Sequence, residues 1–364
     1  MEEEKGYRVP PIQWSYADNK IGNKIAYESG EVTGESKLTT KNGRPMALRD
    51  ERASIYKKIV KDYDNKDEKI TLLKKAKDLD NLYIQFLENR QMVEVDMGDL
   101  GIQKSQYVEL TSKDVDLEKP PIVLILGISN DLDGSGEFPI KLAKLSKRKI
   151  IIFSYPESWH GEVTKEFGDE VEKSDHFEPH VSFFRSAINQ VVGNETEIDI
   201  CGISAGSIMV AELIKDKEFN ERINQANLIA PPGITNMGAT NIVKGISHEI
   251  KSLIFNKQIK YFPKLSSSNS EIITKTDKQR SYMNNTLGKL AGKLSREYYW
   301  WKNDLISGKN KPTNVIIFRD DGVTMGYSGR KKLEQNESLK LQMMDGAHAT
   351  GAMEAEKVIE KMVI

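Results

Sequence analysis

One stretch constrains the whole chain: residues 195–215, ETEIDICGISAGSIMVAELIK. Ile198 and Ile200 alternate as in a short strand, and Gly202-Ile203-Ser204-Ala205-Gly206 reads as a sharp turn. Ile208, Met209, Val210, Leu213 and Ile214 then recur like the buried face of a helix. A strand that turns through G-x-S-x-G into a helix lifts its serine above a sheet, with glycines where side chains would not fit. The helix N-terminus behind the serine favours negative charge. By composition alone the pentapeptide recurs in roughly one chain in eight of this length, so its flanks and the rest of the chain must decide.

With 364 residues the chain is long enough for one large domain with additions or for two ordinary ones. A net charge of −1 speaks against general nucleic-acid binding. The single cysteine, Cys201, excludes an intrachain disulfide framework and a cysteine-rich metal site, and its place in the strand suits a small core residue. No run of residues approaches the length of a bilayer span, and the acidic start MEEEKGYRVPPIQW lacks a signal-peptide core, so the cytoplasm is the expected compartment.

In chain order, residues 1–43 are polar and aperiodic and read as a disordered arm. Residues 44–91 carry two helical patterns, Leu48 to Tyr63 and Ile70 to Leu87, separated by Asp64-Asn65-Lys66-Asp67, and form a helical extension. From residue 92 the period shortens to strands around Val93–Met97 and Tyr107–Leu110. The apolar runs at 122–126 and 150–153 are typical of strands buried on both faces, with helices expected at 138–145 and 177–192. Residues 227–230 form a short strand, and strand-like runs return at 315–318 and 339–343 before a last helix. The alternation predicts an α/β fold with a doubly wound, mainly parallel sheet over 92–364. Residues 236–311 interrupt it, and with 12 Lys and 2 Arg against 5 acidic residues they carry +9 in a chain whose remainder is about −10.

A serine hydroxyl needs a base within hydrogen-bond reach, and the base needs a carboxylate to fix its tautomer. In an open parallel sheet these groups come from loops at the carboxyl ends of strands. Three such loops carry Ser204, the pair Asp320-Asp321, and His348, in that order.

The GISAG turn, the DDGV loop after the penultimate strand and the GAH loop before the last helix together resemble the α/β-hydrolase family over residues 92–364. The resemblance implies Ser204 as nucleophile, His348 as general base and Asp321 as orienting acid, with Asp320 the second choice. It implies an oxyanion hole from the backbone N–H groups of Ala205 and Ile128, and a helical cap at 236–311. The chain departs from the family where Leu126-Gly127 replaces the usual His-Gly, and where Ser-Tyr-Pro-Glu-Ser-Trp-His-Gly follows Phe153.

His160 reads as a substrate-side or structural histidine, and His176, His180 and His248 as surface or satisfied ones. Gly134-x-Gly136 lacks the third glycine of a dinucleotide fingerprint, and Asp131 and Asp133 lack the glutamate of a calcium loop, so neither cofactor nor metal is expected. The chain reads as a serine hydrolase of an ester, thioester or amide of a small or acyl substrate. Peripheral membrane contact through the basic insertion stays open. So do two alternatives on the same fold: a non-catalytic binding protein, and an acyltransferase.

Overall fold

The computed structural model describes residues 81–82, 85–86, 89–127, 138–158, 161–174, 177–234, 300, 307–308, 311–321, 326–346, 348 and 355–364. The polar arm, most of the helical extension, Ile128, His160, His176, His248 and nearly all of 236–311 lie outside these residues.

Two runs with every side chain buried make the centre of the sheet, β3 (Ile122–Ile125) and β4 (Ile150–Phe153). They flank each other in parallel, as residues buried on both faces require. β5 (Ile198–Ile203) lies on the other side of β3, followed outward by β6 (Ile223–Ile229), β8 (Lys311–Phe318) and β9 (Leu339–Met344), all parallel. β1 (Arg90–Asp96) and β2 (Ile102–Leu110) add an antiparallel pair beside β4. The order across the sheet is β1-β2-β4-β3-β5-β6-β8-β9, with the two-residue β7 (Ser307–Gly308) antiparallel to the start of β8. The chain steps one way from β3 to β4 and the other way to β5. The gap between β3 and β5 is therefore a topological switch point, where the carboxyl ends of the strands leave a crevice.

Side chains alternate across the strands, so the sheet has two apolar faces. Val123, Ile125, Ile198 and Ile200 face α3 (Glu178–Val192) and α4 (Ala205–Lys215). Ile122, Leu124, Cys201 and Ile229 share the opposite cluster with α1 (Phe138–Ser146) and α7 (Ala355–Lys361). Leu82 and Phe86 are buried in that second cluster, and Gln85 exchanges hydrogen bonds with both backbone groups of Thr111. The chain thus packs against the sheet before β1 begins. α2 (Lys165–Lys173) is capped by Thr164, whose hydroxyl accepts from the Phe167 N–H. α5 (Lys217–Glu221) is capped by Asp216 and leads into β6.

β6 begins four residues earlier than the apolar run at 227–230 suggests. Asn224 and Gln225 break the hydrophobic pattern, but Asn224 is used to donate to the buried Asp199 on β5. Arg148 bonds the other oxygen of Asp199 at 2.5 Å, which balances a carboxylate at the amino end of the sheet. α6 (Gly326–Leu333) follows β8, and its Leu333 joins the same apolar cluster as Val123 and Ile125.

Candidate active site

The turn from β5 into α4 is closely packed. Ser204 sits at φ 53°, ψ −122°, a left-handed backbone that costs a non-glycine residue of order 1–3 kcal/mol unless its surroundings hold it. Its N–H donates to the Ile229 carbonyl at 2.8 Å. The two glycines of the motif answer close approaches. A Cβ on Gly202 would lie 2.4 Å from the Gly206 carbonyl oxygen, and one on Gly206 would lie 2.2 Å from that of Ile125 on β3. Serine is a preferred N-cap, yet here its side chain caps nothing. The hydroxyl is turned to His348 instead, with Oγ 3.0 Å from Nε2.

His348 is delivered by the segment after β9, beside the carboxyl end of β8. The two segments are tied together by Asp320 N–H to the Gly346 carbonyl, at 2.9 Å, and by the Arg319–Asp345 ion pair, at 3.1 Å. Of the two adjacent aspartates, Asp320 is exposed and Asp321 is buried. It is Asp321 whose Oδ2 lies 3.0 Å from His348 Nδ1. With that ring nitrogen donating its proton to the carboxylate, Nε2 is left as an acceptor for the Ser204 hydroxyl. The Asp321 side chain is fully buried while that of His348 keeps 19% exposure, so the acid lies beneath an imidazole that solutes can reach. The structure brings Ser204, His348 and Asp321 into one hydrogen-bonded line.

Ala205 is the first residue of α4 and is buried. Its N–H, at the start of the helix, has no intrahelical acceptor and adds to the positive end of the helix dipole beside Ser204. Ile128 lies outside the described residues, but its neighbour Gly127 closes against the serine, where a Cβ would stand 3.2 Å from Ser204 Cβ. His180 is buried and satisfied, its Nε2 2.6 Å from Glu157 Oε1 and its ring edge-on to Phe167. Burial pushes the Cys201 thiol far up, which keeps it protonated at neutral pH. Burial, reinforced by Glu157, also holds the Tyr155 phenol well above its ordinary range. Among the described residues no three His, Cys, Asp or Glu side chains group as a metal ion would require, and no helix is long and apolar enough to cross a membrane.

Three contributors to this region carry no motif. Ser207 buries its hydroxyl between β5 and β6. Glu157 fixes His180, and Trp300 donates from Nε1 to the Pro232 carbonyl at 2.9 Å, which returns the chain to the turn after β6.

Strand order, the switch point and a serine at the strand-to-helix turn define an α/β-hydrolase fold, and the chain has it. Solved structures of that fold align along most of their own length. A probable hydrolytic enzyme from Pseudomonas aeruginosa is similar over 75% of this chain and 95% of its own, with TM-score 0.52 and 11% identity. A putative lipase from Acinetobacter baumannii matches over 78% and 93%, with TM-score 0.51 and 16% identity. A thermophilic esterase from Thermogutta terrifontis matches over 74% and 96%, with TM-score 0.50 and 11% identity. No protein-family model and no curated protein matches the sequence.

Proposed function

We propose that the protein is a serine hydrolase that cleaves an ester, thioester or amide through an acyl-enzyme on Ser204. The observation that carries this reading is the line of two 3.0 Å contacts from Ser204 Oγ through His348 to Asp321 Oδ2. In this reading His348 takes the hydroxyl proton as Oγ attacks the carbonyl carbon, and then delivers it to the leaving group. Asp321 holds the ring in the required tautomer and stabilises the imidazolium. The oxyanion is held by the Ala205 N–H at the head of α4, with the Ile128 N–H as its partner. Water, activated by the same histidine, then releases the acid and restores Ser204.

Carboxylic esters are the first substrates to try, since an esterase and a putative lipase share the fold. The segment 236–311 is proposed as the cap, entering after the strand that abuts Ser204, with its basic side chains recruiting anionic acyl substrates. The test is hydrolysis of short p-nitrophenyl esters by the wild type and by Ser204→Ala. The alanine variant should lose at least about 10³-fold in turnover while keeping its thermal unfolding transition. Equal activity in the two proteins would assign any hydrolysis to another group.

A further inference from the structure

We propose that Ser207 is the positioning residue of the serine turn: its buried hydroxyl bridges β5 to β6 and holds Ser204 in the left-handed backbone that aims Oγ at His348. The proposal rests on Ser204 as nucleophile.

Ser207 has no exposed surface and sits in the first turn of α4, three residues beyond Ser204. Its Oγ lies 2.8 Å from the Gly202 carbonyl and 2.9 Å from the Ile229 carbonyl, and it accepts the Ile229 N–H at 3.1 Å. One hydroxyl has a single proton, so the two carbonyls share it while the lone pairs serve the N–H. A serine satisfied within its own helix bonds back to a carbonyl one turn earlier. Ser207 reaches two different strands instead, and both contacts flank the serine turn.

The reason lies in the turn itself. β5 and β6 run in register, with Gly202 opposite Leu228 and Ile203 opposite Ile229. At Ser204 the backbone swings out of the sheet, and its N–H is spent on the Ile229 carbonyl. The Gly202 carbonyl and the Ile229 N–H then face each other across the mouth of the turn, and Ser207 Oγ joins them. The Ser204 N–H and the Ser207 hydroxyl also meet on one acceptor, the Ile229 carbonyl. A second left-handed residue, Ala230 at φ 49°, follows at once and donates to the Ile316 carbonyl of β8, at 2.8 Å. The backbone at the carboxyl end of β6 is thereby fixed from both neighbouring strands. Without the hydroxyl, the Gly202 carbonyl and the Ile229 N–H lose the side chain that ties both of them to α4 beside the nucleophile.

The test is the second-order rate of Ser204 labelling by a fluorophosphonate, read by intact mass. It is measured well below the unfolding temperature for wild type, Ser207→Ala and Ser207→Cys, together with KM and kcat for a p-nitrophenyl ester. Ser207→Ala should label on the order of 10–100-fold more slowly, as expected when a reacting atom drifts by up to an ångström. The loss should appear in kcat, with KM within about twofold, since binding is untouched. Ser207→Cys is of similar size with a weak S–H and should fall between, and it stands in if the alanine variant does not fold. Wild-type labelling rate and kcat in a folded variant, with only its unfolding temperature lowered, would reduce Ser207 to packing and overturn the proposal. A wild type that does not label at all would instead remove Ser204 as nucleophile, and the positioning role with it.

Discussion

Gly206→Ala tests whether the close packing of the serine turn sets the chemistry. The added Cβ would stand 2.2 Å from the Ile125 carbonyl oxygen and 2.6 Å from that of Leu126, where real Cβ atoms stay beyond 3.0 Å. Both obstacles are backbone of the central strand and its exit, so neither can rotate away. The start of α4 must move off β3 by at least about 0.8 Å, the difference between 2.2 and 3.0 Å. Carried to Ser204, that shift stretches the 3.0 Å contact with His348 to nearly 4 Å, outside the ≈ 2.6–3.2 Å reach of a general base. Overpacking of this kind costs about 1–3 kcal/mol in stability, and misplacement of about 1 Å costs about 10²-fold in turnover. Gly98→Ala is the matched control. Gly98 lies at φ 62° in the turn between β1 and β2 with nothing within 4 Å of an added Cβ. Its alanine variant therefore carries only the left-handed penalty of about 1–2 kcal/mol. Thermal unfolding and p-nitrophenyl ester kinetics on both variants should show similar destabilisation, with turnover lost in Gly206→Ala alone. Turnover within about threefold of wild type in Gly206→Ala, or an equal loss in Gly98→Ala, would refute the reasoning.

Asp321→Asn should lower kcat by about 10⁴-fold, the scale for losing the carboxylate that fixes the histidine tautomer, while Asp320→Asn, at an exposed position, should stay near wild type. The reverse ranking in ester kinetics would exchange their roles. If the basic 236–311 segment recruits substrate, kcat/KM for an anionic ester should fall with salt more steeply than for a neutral analogue, since exposed charge is screened over about 8–10 Å; equal salt responses would leave that segment without a steering role. The Tyr155 phenol is held above its ordinary pKa in the folded protein, so the unfolded chain releases this proton first. Its contribution is complete below about pH 10 and is lost as pH rises from there toward the folded pKa. Chemical unfolding should therefore show Tyr155→Phe losing stability less steeply than wild type above pH 10, by up to about 1.4 kcal/mol per pH unit, and parallel curves would contradict this.

How much was legible in the sequence follows from how local each constraint is. The serine turn was readable because steric demand writes two glycines into five residues, and Gly202 and Gly206 do meet backbone at less than 3 Å. The central strands were readable because burial on both faces leaves an unbroken apolar run, as in Ile150–Phe153. Asp320 and Asp321 could be ranked only by spacing, because adjacent residues share every local signal. Their difference arises from a long-range contact with a histidine 27 positions away. Ser207 was invisible for the same reason: a serine in the first turn of a helix looks ordinary until β6 is beside it. The early start of β6 was hidden because Asn224 looks like a loop residue until its partner Asp199 appears across the sheet. The packing of Leu82 and Phe86 on the sheet could not be told from the inner face of a free-standing helix pair, since both read as helical apolar spacing.

The central claim is that Ser204 is the nucleophile of an acyl-enzyme. The most direct measurement is peptide mapping after reaction with a fluorophosphonate, on wild type, Ser204→Ala and His348→Ala. One phosphonyl group per chain is expected, carried on Ser204, absent from Ser204→Ala and formed at least about 10³-fold more slowly in His348→Ala, where the general base is gone. An adduct on another residue, or labelling of Ser204→Ala at the wild-type rate, would contradict it.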